Sequence, residues 1–250
     1  MKVLVTGGGT GIGKAVAEAV VERGGSVVIV GRRREVLESI ARGRMKFLVC
    51  DVAFEADREG LLSKAKKLLG GLDGFVHSAG AVVHEPPGHI SEEALRSQIE
   101  VNLVAPLRLG EQALSVLPRG GSMVFISSTL AMRPIVTSAA YSASKAGMLQ
   151  VMKTLALAGA PKGIRANAVL PGLVDTEMIR ELRLSPGEKK PNGKELKRRL
   201  DAQMKALASL HPLGRLGTPE DVAGTVLHLL TASWVTGSEI VVDGGLLLRE

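Results

Sequence analysis

Short runs of Val, Ile and Leu alternate along the chain with longer stretches in which apolar residues recur every three or four positions. Lys2–Thr6, Val27–Val30, Lys46–Cys50, Gly74–His77, Ser122–Ser127, Arg165–Leu170 and Glu239–Val242 are apolar, β-branched and barely alternating, the pattern of strands buried on both faces. Between them, Gly11–Arg23, Arg34–Ala41, Ala56–Leu69, Ser91–Leu117, Ser138–Gly159 and Pro219–Leu230 carry helical spacing. Strands separated by helical crossovers predict an α/β fold, a doubly wound parallel sheet with helices on both faces. No linker or repeat divides the chain, so residues 1–250 are expected to form one domain. The one long irregular piece is 177–213, which contains Ser185-Pro186-Gly187 and Pro191-Asn192-Gly193. A long loop in a compact domain commonly covers a binding site, and a substrate lid is expected here.

Composition narrows the class. Apolar residues make up 45% of the chain, but it holds only four Phe, one Trp and one Tyr, so aliphatic side chains and Met must fill the core. Cys50 is the single cysteine, which excludes an internal disulfide and fits a reducing compartment. No stretch approaches the ~18 apolar residues of a membrane span. Met1-Lys2 leads directly into Val3-Leu4-Val5, with no room for a signal peptide, so a soluble, cytoplasmic protein is expected. The net charge is +7, but the basic residues are not interleaved with aromatics and no nucleic-acid-binding signature is present. Residues 177–213 hold nine Lys/Arg against five Asp/Glu, a local excess that suits an anionic ligand or acidic partner. His84, His89, His211 and His228 show no ligand spacing, and no metal site is expected.

Several strand ends carry candidate chemistry. Strand Lys2–Thr6 runs into Gly7-Gly8-Gly9-Thr10-Gly11-Ile12-Gly13 and then a helix. Glycines permit a tight turn and close backbone approach, and the amides that open the helix favour a phosphate. With a strand before it and a helix after it, this turn points to a bound dinucleotide. At the end of the second strand an acidic residue would hold the ribose hydroxyls of NAD. Gly31 stands there instead, followed by Arg32 and Arg33. Arginine pairs well with phosphate, so NADP(H) is favoured, with NAD(H) as the alternative. Asp51-Val52 can meet an adenine amino group, and Ser78-Ala79-Gly80 leaves room for a cofactor to lie flat. His77, at the end of a buried strand, is read as a structural hydrogen-bonding residue. Asn102 lies mid-helix, where its amide must be used, and Ser127-Ser128 closes the fifth strand, where ligands of open parallel sheets bind. Tyr141, the only tyrosine, precedes Lys145 by four residues, so both share one helix face. An ammonium that stabilises the phenolate would make this pair acid/base equipment for an alcohol or carbonyl. Ser142, Ala143 and Ser144 between them read as small spacers.

Taken in order, these motifs resemble the classical short-chain dehydrogenases/reductases, in general pattern the 3-oxoacyl-[acyl-carrier-protein] reductase-like members. The match runs from Thr6 to Gly13 and through His77-Ser78-Ala79-Gly80, Asn102, Ser128 and Tyr141 to Lys145. It continues through Arg165 to Gly172, Thr176, Pro212 to Asp221, and Thr236-Gly237 with Val242 to Gly245. His77 stands where the family usually has Asn. The resemblance implies a Rossmann-like sheet, two-electron transfer from a nicotinamide, and a tetrad of Asn102, Ser128, Tyr141 and Lys145. It implies that Tyr141 protonates the substrate oxygen, that Ser128 hydrogen-bonds it, and that Lys145 also holds the nicotinamide ribose. In the same way Asn102 supports a relay water, and Pro171, Gly172, Val174 and Thr176 join the cofactor contacts. A carbonyl or secondary alcohol is the implied substrate, a 3-oxoacyl thioester being the leading choice. Arg119 and Lys162 are expected to present basic groups to an acyl carrier protein or CoA. A homotetramer with an interface near Val242-Asp243-Gly244-Gly245 is also implied. The alternatives are an NAD-linked dehydrogenase of a sugar, polyol or other alcohol and, from another class, a non-catalytic nucleotide-binding sensor. Thr129, Leu130, Pro134, Ile135, Leu173 and Met178 are expected to line a mostly apolar substrate mouth.

Overall fold

The computed structural model describes residues 1–180, 189 and 191–249. Its strands are short and largely apolar, and each crosses to the next through at least one helix. β1 (Lys2–Thr6), α1 (Gly11–Glu22), β2 (Ser26–Gly31), α2 (Arg34–Ile40) and β3 (Met45–Val49) form the first half. The helix expected over 56–69 is divided into α3 (Glu55–Arg58) and α4 (Leu61–Leu69), because Gly60 takes a φ of 63° and caps α4 from the left-handed region. β4 (Gly74–His77) then opens the second half.

The long helix expected over 91–117 is α5 (Glu92–Ile99) and α6 (Ala105–Val116) joined by a π turn over Glu100–Val104. Pro106 in the first turn of α6 has no N–H to give the carbonyl four residues back, and a wider turn accommodates that gap. β5 (Ser122–Ile126), α7 (Ala139–Gly159) and β6 (Arg165–Pro171) follow, then α8 (Gly193–Ala208), α9 (Pro219–Thr231) and β7 (Glu239–Val242). The segment 177–213 is therefore not the structureless loop expected, since α8 fills sixteen of its residues. Residues 181–188 and 190 of that segment lie outside the described residues.

All seven strands pair in parallel in the order β3-β2-β1-β4-β5-β6-β7, the doubly wound, Rossmann-like sheet expected. Alternate residues of each strand feed opposite cores. Leu4, Phe75 and Phe125 face α4, α6 and α7 through Leu62, Leu109, Met148 and Met152. Val3, Val5 and Ile29 face α1 and α9 through Val16, Val20, Val222 and Val226. The strand order reverses between β1 and β4, so the loops at their carboxyl ends part and open a crevice. Among the described residues no helix is long and apolar enough to cross a membrane.

Candidate active site

The crevice begins at the glycine turn. Gly7 takes a φ of 66°, and a Cβ there would fall 2.7 Å from the Ala79 nitrogen. A Cβ on Gly13 would fall 2.3 Å from the Gly7 carbonyl oxygen. Only bare backbone brings the start of α1 and the end of β4 this close. Thr10 occupies the N-cap of α1 without a side-chain cap, and the first turn holds no acidic residue, so the opening amides keep their capacity for an anion. Gly11, with a φ of 51°, lies against Thr176, and Ile12 is half-buried beneath the turn. A cradle that a side chain would fill, beside uncapped helix amides, fits a dinucleotide pyrophosphate.

The neighbouring strand ends supply charge. Arg32 lies 3.8 Å from an Asp51 carboxylate oxygen. Asp51 also accepts from the Ala53 amide at 3.0 Å, and Val52 is buried beside it. Arg33 donates to Glu177 at 3.1 Å, across to the segment that follows β6. In that segment Gly172 donates its amide to Val242, and a Cβ on Gly172 would meet the Asp243 backbone at 2.9 Å. Val174 pairs with Gly217 as an isolated bridge, and Thr176 Oγ1 donates to the Val174 carbonyl. His211 Nε2 accepts from the Leu173 amide at 3.3 Å while its Nδ1 meets the Leu207 carbonyl at 3.1 Å, pinning this loop to the end of α8.

Thr6 joins the two halves. Its Oγ1 accepts from the amides of Ser78 at 3.2 Å and Ala79 at 3.3 Å and lies 3.1 Å from His77 Nδ1. The hydroxyl hydrogen is therefore given to Nδ1, and Nε2–H donates to the Val101 carbonyl at 3.3 Å. Burial, then the Lys145 charge, pushes the His77 pKa down to about 3, so the ring is neutral. This is the structural role expected of it.

Asn102 sits in the π turn, fully buried. Its Oδ1 accepts from the Ala81 amide at 3.0 Å, and its Nδ2 donates to the Ala81 carbonyl at 2.8 Å and to Ser144 Oγ at 3.0 Å. Ser144 in turn donates to the Tyr141 carbonyl at 2.8 Å. Ser144 is thus no mere spacer: it connects Asn102 to the backbone of the Tyr141 turn. Its place three residues after Tyr141, on the same helix face, was the legible signal for it. A Cβ on Gly80 would lie 3.6 Å from Asn102 Oδ1 and 3.7 Å from Lys145 Nζ, which brings these groups to one spot.

Ser128 follows β5 and caps a short 3-10 turn, accepting from the Leu130 amide at 3.1 Å. The Ser127 hydroxyl donates instead to the Lys145 carbonyl, fastening α7 to the strand end. Lys145 is buried; its Nζ donates to the Ile126 carbonyl at 2.8 Å and lies 5.8 Å from the Tyr141 ring centroid. Burial lowers the Lys145 pKa to about 7. Burial raises that of Tyr141 to about 12, against the opposing effect of its hydrogen bond with Ser128. The expected lowering of the phenol by Lys145 does not prevail in this geometry, because desolvation of the ring is the larger effect.

Arg119 and Lys162 fall elsewhere. They precede β5 and β6, where Gly120 and Gly163 are hydrogen-bonded and Lys162 donates to the Leu114 carbonyl. That is the strand-entry end of the sheet, opposite the Tyr141 site of the same chain. Among the described residues no cluster of His, Cys, Asp or Glu is arranged to hold a metal.

The lowered Lys145 pKa has a consequence for stability. Between pH 7 and 10.5 the unfolded lysine binds a proton that the folded one has released. The nucleotide-free protein should therefore gain stability as pH rises from 7 to 10, by up to about 1.4 kcal/mol per unit beyond Lys145→Met. Urea unfolding across this range tests it, and parallel profiles for the two proteins would refute the shift.

Comparison with known proteins agrees with the geometry. The family model described as "Enoyl-(Acyl carrier protein) reductase" matches residues 7–247. Carbonyl reductase family member 4 of Xenopus tropicalis is 33% identical over 249 residues, 98% of this chain and 97% of that protein. The 3-oxoacyl-[acyl-carrier-protein] reductase of Mus musculus is 32% identical over 248 residues, 98% of this chain and 97% of that one. The ligand-free aldohexose dehydrogenase of Thermoplasma acidophilum superposes with a TM-score of 0.88 at 29% identity, covering 100% of this chain and 94% of its own. The chain belongs to the short-chain dehydrogenase/reductase family, oxidoreductases that use NAD(P)(H) and act on carbonyl and alcohol substrates.

Proposed function

We propose that the protein is an NADP(H)-dependent carbonyl reductase acting on a ketone or a 3-oxoacyl thioester, with Tyr141 as its acid. The observation that carries this reading is the Tyr141 phenol, held protonated beside Ser128 and Lys145 at the strand ends that also bear the phosphate-binding turn. When bound, the nicotinamide supplies the electron pair that reduces the carbonyl carbon. The residues that would hold the dinucleotide are Gly7, Gly9, Thr10, Gly11, Ile12 and Gly13 at the pyrophosphate, and Asp51 and Val52 near the adenine. Ser78, Ala79 and Gly80 would flank its middle, and Pro171, Gly172, Val174 and Thr176 its nicotinamide end.

Ser128 Oγ accepts from the Leu130 amide and can give its own hydrogen to the substrate oxygen. The Tyr141 phenol transfers its proton to that oxygen, a step of the kind worth about 10²–10⁴-fold. An ammonium at Lys145 stabilises the phenolate left behind. Both Nδ2 hydrogens of Asn102 are engaged, so we assign it the bracing of Ala81 and α7, with only Oδ1 available to a relay water.

Arg32 and Arg33 at the end of β2 support NADP(H) over NAD(H). The names of the carbonyl and 3-oxoacyl reductases among its relatives support the substrate class. The residues expected at the mouth, Thr129, Leu130, Pro134, Ile135, Leu173 and Met178, are mostly apolar and would suit an aliphatic or cyclic body. α8 exposes Lys194, Lys197 and Lys205, and its Gln203 donates to the Ile179 carbonyl at 3.3 Å, which supports a basic helix beside the segment after β6 as a partner for a carrier or CoA phosphate. Likeness to an aldohexose dehydrogenase favours a second reading, an NAD-linked sugar or polyol dehydrogenase. We further propose a homotetramer. β7 is an edge strand with Val241 40% exposed, and Trp234 and Leu248 beside it are 98% and 86% exposed, surfaces that a second copy would cover.

Three measurements test this reading. Tyr141→Phe should lose at least about 100-fold in kcat while still binding nucleotide; a fully active variant would sink the acid assignment. Replacing Arg32 and Arg33 together with Ala should raise KM for NADPH about tenfold or more, with KM for NADH little changed, when ketones, acyl thioesters and aldoses are assayed with both. Equal changes would exclude a 2′-phosphate role. Light scattering should give four times the chain mass for the wild type and a smaller species for Trp234→Glu with Val241→Arg; a monomeric wild type would refute the assembly.

A further inference from the structure

We infer that Glu177 is a specificity-determining residue that competes with the cofactor 2′-phosphate for Arg33, so that phosphate binding unfastens the segment after β6. The inference rests on the NADP(H) reading above and adds a residue that the glycine turn and the arginines do not reveal.

Arg33 is the N-cap residue of α2, directly after β2. Glu177 begins the short 3-10 turn after Thr176. The two are 144 residues apart in sequence, yet Arg33 donates to Glu177 Oε2 at 3.1 Å. The pair crosses the phosphate-binding turn. A Cβ on Gly9 would touch Val36 and Leu37 of α2, at 3.3 and 3.4 Å, while one on Gly11 would touch Thr176 at 3.1 Å. The turn therefore lies between α2 on one side and the Thr176 segment on the other, and the ion pair joins those two sides. Arg32 turns the other way, toward Asp51 at 3.8 Å.

Arg33 and Glu177 are 58% and 68% exposed, so the pair is weak and readily exchanged. A phosphate dianion next to Arg33 offers a stronger partner than one carboxylate and places like charge near Glu177. Once Glu177 is released, the turn over Glu177–Ile179 loses its tie to α2. Asp175 keeps its own two-bond ion pair with Arg180, so the loosening is confined to the Glu177 side. A cofactor without the 2′-phosphate leaves the tie in place. Glu177 thus sets how strongly the phosphorylated cofactor is preferred.

Adenosine 2′,5′-bisphosphate and adenosine 5′-monophosphate, titrated calorimetrically at low ionic strength, test this without turnover. Glu177→Gln should bind the bisphosphate about two- to fivefold more tightly, the range of an exposed ion pair, and the monophosphate unchanged. In an Arg33→Ala background the same substitution should have no effect. In the wild type the bisphosphate, but not the monophosphate, should speed amide exchange at residues 177–180. Unchanged bisphosphate affinity in Glu177→Gln, or a gain that persists without Arg33, would overturn the competition. Wild-type protein that binds both probes equally would overturn the NADP(H) reading and this inference with it, whereas a preference indifferent to Glu177 overturns the inference alone.

Discussion

One buried hydroxyl ties the loop that leaves β4 to the end of β1, where the strand order reverses. Thr6 Oγ1 accepts from two amides of the β4 end and gives its hydrogen to His77. His77 passes the connection to the Val101 carbonyl in the π turn. The next residue, Asn102, binds both polar groups of the Ala81 backbone and reaches Ser144, which reaches the Tyr141 carbonyl. A line of hydrogen bonds, continued through the Val101–Asn102 peptide, thus runs from the end of β1 to the Tyr141 turn. Each member is buried or half-buried, so an unmade bond would cost about 1–3 kcal/mol. Such a line fixes position, because no member can move without leaving another unsatisfied.

The same burial that makes the line rigid sets the charges at its end. Lys145 and Tyr141 are both pushed toward their neutral forms, to about 7 and about 12. His77, at about 3, contributes no positive charge that would oppose the ammonium further. A protonated phenol is the form an acid needs at neutral pH. Lys145 lies near its own titration there, so a carboxamide, ribose hydroxyl or developing phenolate beside it can decide its protonation. The site is tuned by desolvation rather than by an opposing carboxylate, since burial is the dominant effect on all three groups.

Much of this was legible in the chain because it rests on local rules. The seven strands are continuous apolar runs, and the structure moves their ends by only one residue. Gly7 to Gly13 announced a tight, close-packed turn because nothing larger than glycine fits against Ala79 and the Gly7 carbonyl. The failures have physical causes too. The π turn arises from Pro106 acting against a helical period that otherwise reads as unbroken. The sequence of α8 reads as irregular because Pro191 and Gly193 dominate its start, while Leu196, Leu200, Leu207 and the charges between them carry a helical stripe. Arg119 and Lys162 enter β5 and β6, a full strand length from the residues that leave them, a distance that chain order alone does not display. No spacing rule links Arg33 to Glu177, whose meeting depends on the whole sheet being assembled.

That last contact bears on how a basic protein manages its charge. Arg32, Arg33 and Arg34 follow one another, and isolated they would repel. Each is met by a different acid: Asp51 from the end of β3, Glu177 from beyond β6, and Glu38 one helical turn on. Glu38 is local and serves α2, but Asp51 and Glu177 flank the crevice where a ribose and its phosphate would lie. In the NADP(H) reading proposed above, the charge that would attract a phosphate is therefore partly neutralised until one arrives. The neutralising groups are strand-end and loop residues whose positions the sheet controls. Screening in water keeps these exposed pairs weak, about 0–1 kcal/mol each, so they can hold the loop in place without closing the site to a dianion.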